Sequence, residues 1–316
     1  MLNISPPCWA LPEREVTPEH IFLNRRQWLA GATALAGLAA APAWAAPGDP
    51  WTPAPATNPD HADAGRAITP EDVNSTYNNF YEFGSHKRIH DAAQMLPTDP
   101  WSLAIDGLVE RPFTIAFEDL MKKVSVEERI YRHRCVEAWS MVAPWIGFPL
   151  KDLVALAKPL SGARYVRFET FMNPEIARGQ REHWQPWPYI EGVTIEEAAN
   201  DLAFLVTGAY GKELHKQFGA PIRLHLPWKY GFKSIKSMVK VTFTDERPVS
   251  FWEELQAREY GFWANVNPEV AHPRWSQAAE RVLGTDEKIP TVLFNGYGAQ
   301  VAHLYAAVDE GDRLWR

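Results

Sequence analysis

The stretch "RIYRHRCVEAWSMVAPWIGFPL" (Arg129 to Leu150) sets Cys135 among Arg132, His133 and Arg134, just ahead of Trp139 and Trp145. The 316-residue chain has one other cysteine, Cys8, far upstream. Cys135 therefore reads in three ways: as an inert core thiol, as a nucleophilic or redox thiol, or as a metal ligand. The adjacent cations favour the thiolate, because positive neighbours lower a thiol's pKa. A zinc site would want further thiolate or histidine ligands at short spacing, and neither C-x-x-H nor the haem-attachment pattern C-x-x-C-H surrounds this cysteine. One protein thiolate suffices only where a cofactor brings most of its own ligands.

Upstream, "NRRQWLAGATALAGLAAAPAWAAP" (Asn24 to Pro47) places Arg25 and Arg26 before a weakly apolar Ala/Gly/Leu run. The run closes on Ala43-Trp44-Ala45, a small-x-small cleavage pattern. Paired arginines with Leu29 shortly after them read as a twin-arginine export signal over residues 1–45, the alternative being an uncleaved membrane anchor. That route carries folded cargo, which points to a cofactor taken up before export into the periplasm. Removing the leader takes three basic and three acidic residues, so the formal charge of −7 is unchanged. A mildly acidic chain with no basic block argues against a nucleic-acid partner. Residues 46–70, rich in Pro, Ala and Asp, read as an extended or mobile arm over the surface.

Beyond residue 100 short strands alternate with short helices. "WSLAIDGLV" aligns Trp101, Leu103 and Ile105 on one face, and "FTIAF" aligns Phe113, Ile115 and Phe117. "FPLKDLVALAKPL" predicts a helix entered through Pro149 and closed before Pro159. "ARYVRFETF" and "APIRLHLPW" read as strands, the second with Ile222, Leu224 and Leu226 inward against Arg223 and His225. "SMVKVTFTD" alternates Val239, Val241 and Phe243 with polar residues. In "TVLFNGYGAQVAHLYAAVD" two apolar runs flank a Gly-rich "NGYG", read as a hairpin turn rather than a phosphate loop. No regular βαβ spacing runs through residues 71–316, so the fold class is α+β, mixed and mainly β, in one catalytic domain.

"YNNFYEFG" (Tyr77 to Gly84), the Arg129–Leu150 stretch, "GAPIRLHLPWKYGFKSIKS", "EYGFWANVNP" and "HPRWSQA" together resemble the catalytic subunit of the periplasmic protein-methionine-sulfoxide reductases. These are molybdopterin enzymes of the sulfite-oxidase fold group, and the segments recur in family order from about residue 68 onward. The resemblance implies a molybdenum-molybdopterin cofactor with Cys135 as the metal ligand and catalytic centre, soft thiolate ligation suiting such a metal. It places pterin contacts on Asn78, Tyr81, Glu82, Thr170, Arg223, Ser234, Ile235 and Lys236. It implies a haem-containing membrane subunit as electron donor and oxidised periplasmic proteins as substrates. On residue type alone Arg223 reads as the solvent face of a strand and Lys236 as a surface charge. One position departs from the family pattern: Phe218 stands where an Asn is common, and a phenyl ring makes no amide contact. Trp139, Trp145, Trp228 and Trp263 are candidates for the substrate mouth, although aromatic residues mostly serve cores. The nearest rival reading is a sulfite oxidase, which would favour a cationic pocket; a cofactor-free thiol enzyme and a binding protein stand further off.

Overall fold

The computed structural model describes residues 54–316; the leader and the first part of the arm lie outside them. Two mixed sheets carry the fold. The first has the order β2–β1–β10–β5–β6, with β1 Ser102–Gly107, β2 Phe113–Ala116, β5 Tyr165–Thr170, β6 Ile190–Thr194 and β10 Met238–Thr244. In the second, β12–β11–β4–β7–β8 form the path, β3 pairs with β4 and β9 with β7. Its strands are β3 Glu127–Arg134, β4 Trp139–Pro149, β7 Phe204–Ala209, β8 Lys212–Glu213, β9 Arg223–His225, β11 Ala279–Val282 and β12 Lys288–Pro290. The helices are short, and among the described residues none is long and apolar enough to cross a membrane.

The first sheet follows its period-two pattern. Leu103 and Ile105 on β1, Val166 and Phe168 on β5, and Val241 and Phe243 on β10 are all buried. The predicted alternation of "SMVKVTFTD" fails at its start, because a register shift between Met238 and Lys240 buries Met238 and leaves Val239 half-buried. The helix Leu150–Ala157 forms as its prolines require, starting after Pro149 and ending at Lys158, whose φ of 50° precedes Pro159.

Every residue of β4 is buried. The strand pairs along its length with β3, while β7 lies against its second half and β11 against its first residues. Such a central strand needs a continuous apolar run, which "WSMVAPWIGFP" supplies. Between β3 and β4 the chain turns at Cys135–Ala138: Cys135 N donates to Trp139 O at 2.9 Å, and Ala138 takes a φ of 61°. The thiol therefore stands at a hairpin tip, beside the fully buried β4.

Three expectations are corrected. Arg223 and His225 do not face solvent, because β9 is covered by β7 on one edge and by the segment before β10 on the other, with Leu224 N donating to Ile235 O at 2.9 Å. Lys236 is no surface charge; its ammonium is drawn onto the backbone carbonyls of Asn79 and Gln217, each at 2.7 Å. "NGYG" makes no hairpin. Phe294, Asn295 and Gly296 take φ of 50°, 53° and 90°, and short helices follow from Gly298 to Tyr305.

The part of the arm within the described residues lies along β3. Asn58 N donates to Glu128 O at 2.8 Å, Glu128 N to Ala56 O at 2.9 Å, and Thr69 N to Val142 O at 3.0 Å.

Candidate functional site

One cleft gathers segments far apart in sequence. It is lined by Tyr77–Glu82, by the β3–β4 hairpin tip with Cys135, by Arg223 of β9 and by the turn containing Ser234, Ile235 and Lys236. Eight of the nine residues singled out by resemblance thus converge on a single space. The ninth, Thr170, lies behind its wall, where Oγ1 donates to Lys236 O at 2.9 Å. Buried pairing fixes the last turn: Lys233 and Glu191, neither exposed, meet at 2.5 Å, and Lys233 also donates to Gly192 O. Two glycines are required here. A Cβ at Gly219, whose φ is +105°, would come within 2.6 Å of the Lys236 side chain, and one at Gly231 within 2.4 Å of the His133 ring.

Asn79 Nδ2 lies 3.4 Å from the Cys135 sulfur, and Glu137 N donates to the same atom at 3.4 Å. Glu137 Oε2 accepts from Asn79 Nδ2 at 3.3 Å, from Trp139 Nε1 at 3.1 Å and from the thiol at 3.7 Å. The arginines flanking Cys135 do not act on it as the sequence led us to expect. Arg132 turns to the carbonyls of Ala64 and Asn295, and Arg134 runs inward to Glu280, Gln277 and Thr291. Burial, reinforced by the Glu137 charge, pushes the Cys135 thiol up to about 12. A cation bound at the sulfur would oppose that shift and favour the thiolate.

Further in, positive charge is buried without a bonded carboxylate. Arg223 donates to the carbonyls of Leu224, Phe218 and Ser234, and desolvation brings its guanidinium down to about 9. Lys236 is likewise lowered by burial, then by Arg223. Glu82 lies nearby, its carboxyl raised by burial to about 7 against the pull of Lys236 and Thr170. Asn78 Nδ2 donates to Asn74 O at 2.9 Å, leaving its buried Oδ1 without a partner.

These features fit a molybdopterin. The buried Arg223 and the half-buried Lys236 suit a phosphate, and the orphaned Asn78 oxygen suits the donor edge of a pterin ring. Among the described residues no group of three His, Cys, Asp or Glu side chains is placed to hold a metal, so a metal at Cys135 takes its remaining ligands from outside the protein.

At the family's Asn position, Phe218 lines the cleft and closes it with an apolar ring, while its carbonyl accepts from Arg223. Gln217 does not substitute, because its side chain is held by Ser75 O and Gln94. Of the four candidate tryptophans only Trp139 lines the cleft. Trp145 and Trp228 are wholly buried, and Trp263 packs against Phe262 and Tyr305. Sequence reading missed Asn79, Glu137 and the aromatic rim of Tyr189, Phe232, Trp252 and Tyr260. The pair Asn78-Asn79 and the Glu two residues past the cysteine were visible in the sequence, but only the fold aims them at the sulfur.

Residues 90–252, just over half of the chain, match the family described as oxidoreductase molybdopterin binding domain. Among solved structures the chain is similar to the sulfane dehydrogenase SoxCD from Paracoccus pantotrophus, at 20% identity and a TM-score of 0.48. That match covers 71% of this chain and 54% of that one, so this chain spans about half the length of its solved relative. The mixed sheets with few helices are those of the sulfite-oxidase-type molybdopterin-binding fold, and the chain belongs to the oxidoreductase molybdopterin-binding domain family, whose molybdenum-molybdopterin is its cofactor.

Proposed function

We propose that this oxidoreductase reduces methionine sulfoxide in oxidised proteins to methionine, as repair of the cell envelope in the periplasm. The cofactor, when bound, supplies removal of the sulfoxide oxygen, which with two electrons and two protons leaves as water. Cys135 holds the metal. Asn78, Tyr81, Glu82, Arg223, Ser234, Ile235 and Lys236 would hold the pterin, the two cations suiting its phosphate, with Thr170 behind them steadying the Lys236 backbone. Electrons come from a haem-containing membrane partner, and export follows the twin-arginine signal at Arg25 and Arg26.

The observation that supports a neutral substrate is the character of the opening. Tyr81, Trp252, Tyr260 and Phe232 meet edge-on or tilted, with ring centroids 4.9 to 5.3 Å apart, and all four line the cleft. Aromatic faces and edges suit a methyl thioether. The cationic pocket that sulfite would favour is not assembled from the residues beside Cys135, since Arg132 and Arg134 both turn away.

The test uses purified holoenzyme with an artificial electron donor on free methionine sulfoxide and on an oxidised Met-rich protein, and with an acceptor on sulfite. Sulfoxide reduction that favours the oxidised protein and changes little with ionic strength is expected, because a neutral substrate is not steered. Efficient, salt-sensitive sulfite oxidation with negligible sulfoxide reduction overturns the reading. For export, Arg25→Lys with Arg26→Lys leaves the precursor in the cytoplasm, seen by fractionation.

A further inference from the structure

Lys87 lies outside every sequence motif considered above, yet it touches both polar groups that face the Cys135 sulfur. Its ammonium meets Glu137 Oε2 at 2.5 Å and also donates to Asn79 Oδ1. Its side chain is only 22% exposed, and its backbone carbonyl accepts from Asn78 N at 3.0 Å. The lysine is thus tied at both ends to the segment that lines the cleft.

This contact decides which way the Asn79 amide points. An ammonium has only donors, so the atom it faces must be the amide oxygen. With Oδ1 held by Lys87, Nδ2 is turned to the Cys135 sulfur at 3.4 Å and to Glu137 Oε2 at 3.3 Å. A flipped amide would set NH2 against the ammonium and an oxygen against the carboxylate, two repulsive contacts. Glu137 is fixed by the same cation: without it the carboxylate keeps only Asn79, Trp139 and the thiol, and its side chain is 33% exposed, with solvent to turn toward.

We propose that Lys87 is a positioning residue, a clamp that holds the Asn79 amide and the Glu137 carboxylate in one orientation against the sulfur of the metal-binding cysteine. It touches no reacting atom and acts through the two groups it orients. The kinetic part of the proposal rests on the sulfoxide reading above; the spectroscopic part rests only on the family's cofactor.

The experiment uses exported holoenzyme carrying Lys87→Met, Lys87→Arg, Asn79→Ala with Glu137→Gln, and all three of Lys87→Met, Asn79→Ala and Glu137→Gln together. Molybdenum content, the electron paramagnetic resonance spectrum of the one-electron-reduced metal, and sulfoxide kinetics are read for each. Lys87→Met is expected to keep its molybdenum, to change the spectrum, and to lose kcat by roughly ten- to a hundredfold, as misplaced groups do. Lys87→Arg restores most of both. Added to the Asn79→Ala/Glu137→Gln pair, Lys87→Met changes nothing further, because the groups it holds are gone. An unchanged spectrum in Lys87→Met, a full additional loss in the triple variant, or molybdenum falling in step with kcat each overturns the clamp. Wild-type enzyme that fails to reduce sulfoxides removes the substrate reading alone, and the spectra still judge Lys87.

Discussion

The Arg134 guanidinium lies 2.9 Å from the Glu280 carboxylate, and neither side chain is appreciably exposed. The pair ties the last residue of β3 to β11, with Gln277 and Thr291 taking further donors of the same arginine. It braces the hairpin that carries Cys135, and its pull toward thiolate is outweighed by burial and the Glu137 charge.

Glu280 also accepts from Arg66 at 3.2 Å, so loss of Arg134 removes one of its two cations and leaves the other. Arg134→Met should therefore lower stability by about 2–3 kcal/mol, less than the cost of a fully uncompensated buried charge. Arg134→Met combined with Glu280→Met should not recover that loss, because Arg66 then loses its carboxylate. Denaturant unfolding of both proteins checks the prediction, and a double variant as stable as wild type would overturn it.

Cys135→Ala should bring activity to background and cut the molybdenum content, since no second protein ligand stands ready among the described residues. Metal analysis and a sulfoxide assay on the same preparation decide it. Full activity in that variant would sink the assignment of Cys135.

Gly219→Ala forces a side chain into a left-handed backbone and into contact with Lys236 at 2.6 Å. A loss of about 1–3 kcal/mol is expected from strain and overpacking together. Because the displaced lysine is a proposed phosphate contact, cofactor content should fall as well, measured by pterin release. Normal pterin content with unchanged stability would contradict both points.

Asp201 meets His61 of the arm at 3.3 Å, Lys151 of the helix Leu150–Ala157 at 2.6 Å and Arg129 of β3 at 3.4 Å. Burial alone would raise its carboxyl, but hydrogen bonds from Lys151 and His61 and the Arg129 charge hold it down to about 2. A folded-state value below the unfolded value of about 3.9 gives stability that is present above pH 4 and lost as pH falls through about 2. Asp201→Asn should therefore cost about 1 kcal/mol at pH 7, the scale of a solvent-screened pair, and its difference from wild type should shrink between about pH 5 and pH 2. Urea unfolding across that range is the measurement; a difference that does not change with pH counts against it.

Much of this molecule is legible in its chain because the relevant rules are local. Alternation in "SLAIDG" and "YVRFET" sets strand faces, Pro149 and Pro159 bound a helix, and the absence of βαβ spacing gives a mixed sheet architecture. Beyond those rules, the family resemblance marked eight residues that do line one cleft. Local rules fail where a side chain's partner is remote in sequence. Arg132 and Arg134 adjoin Cys135 in the chain, yet their direction is set by Ala64, Asn295 and Glu280. Arg223 and Lys236 read as solvent-facing because neither strand alternation nor charge reveals that another segment covers them. Asn79, Glu137 and Lys87 gain a shared role only when the Tyr77–Lys87 segment is folded over the β3–β4 turn. Sequence thus determined most of the elements that form and most of the residues that meet in the cleft. Tertiary structure alone decided the direction and burial of each charge, because desolvation and pairing depend on what the rest of the chain brings within a few ångströms.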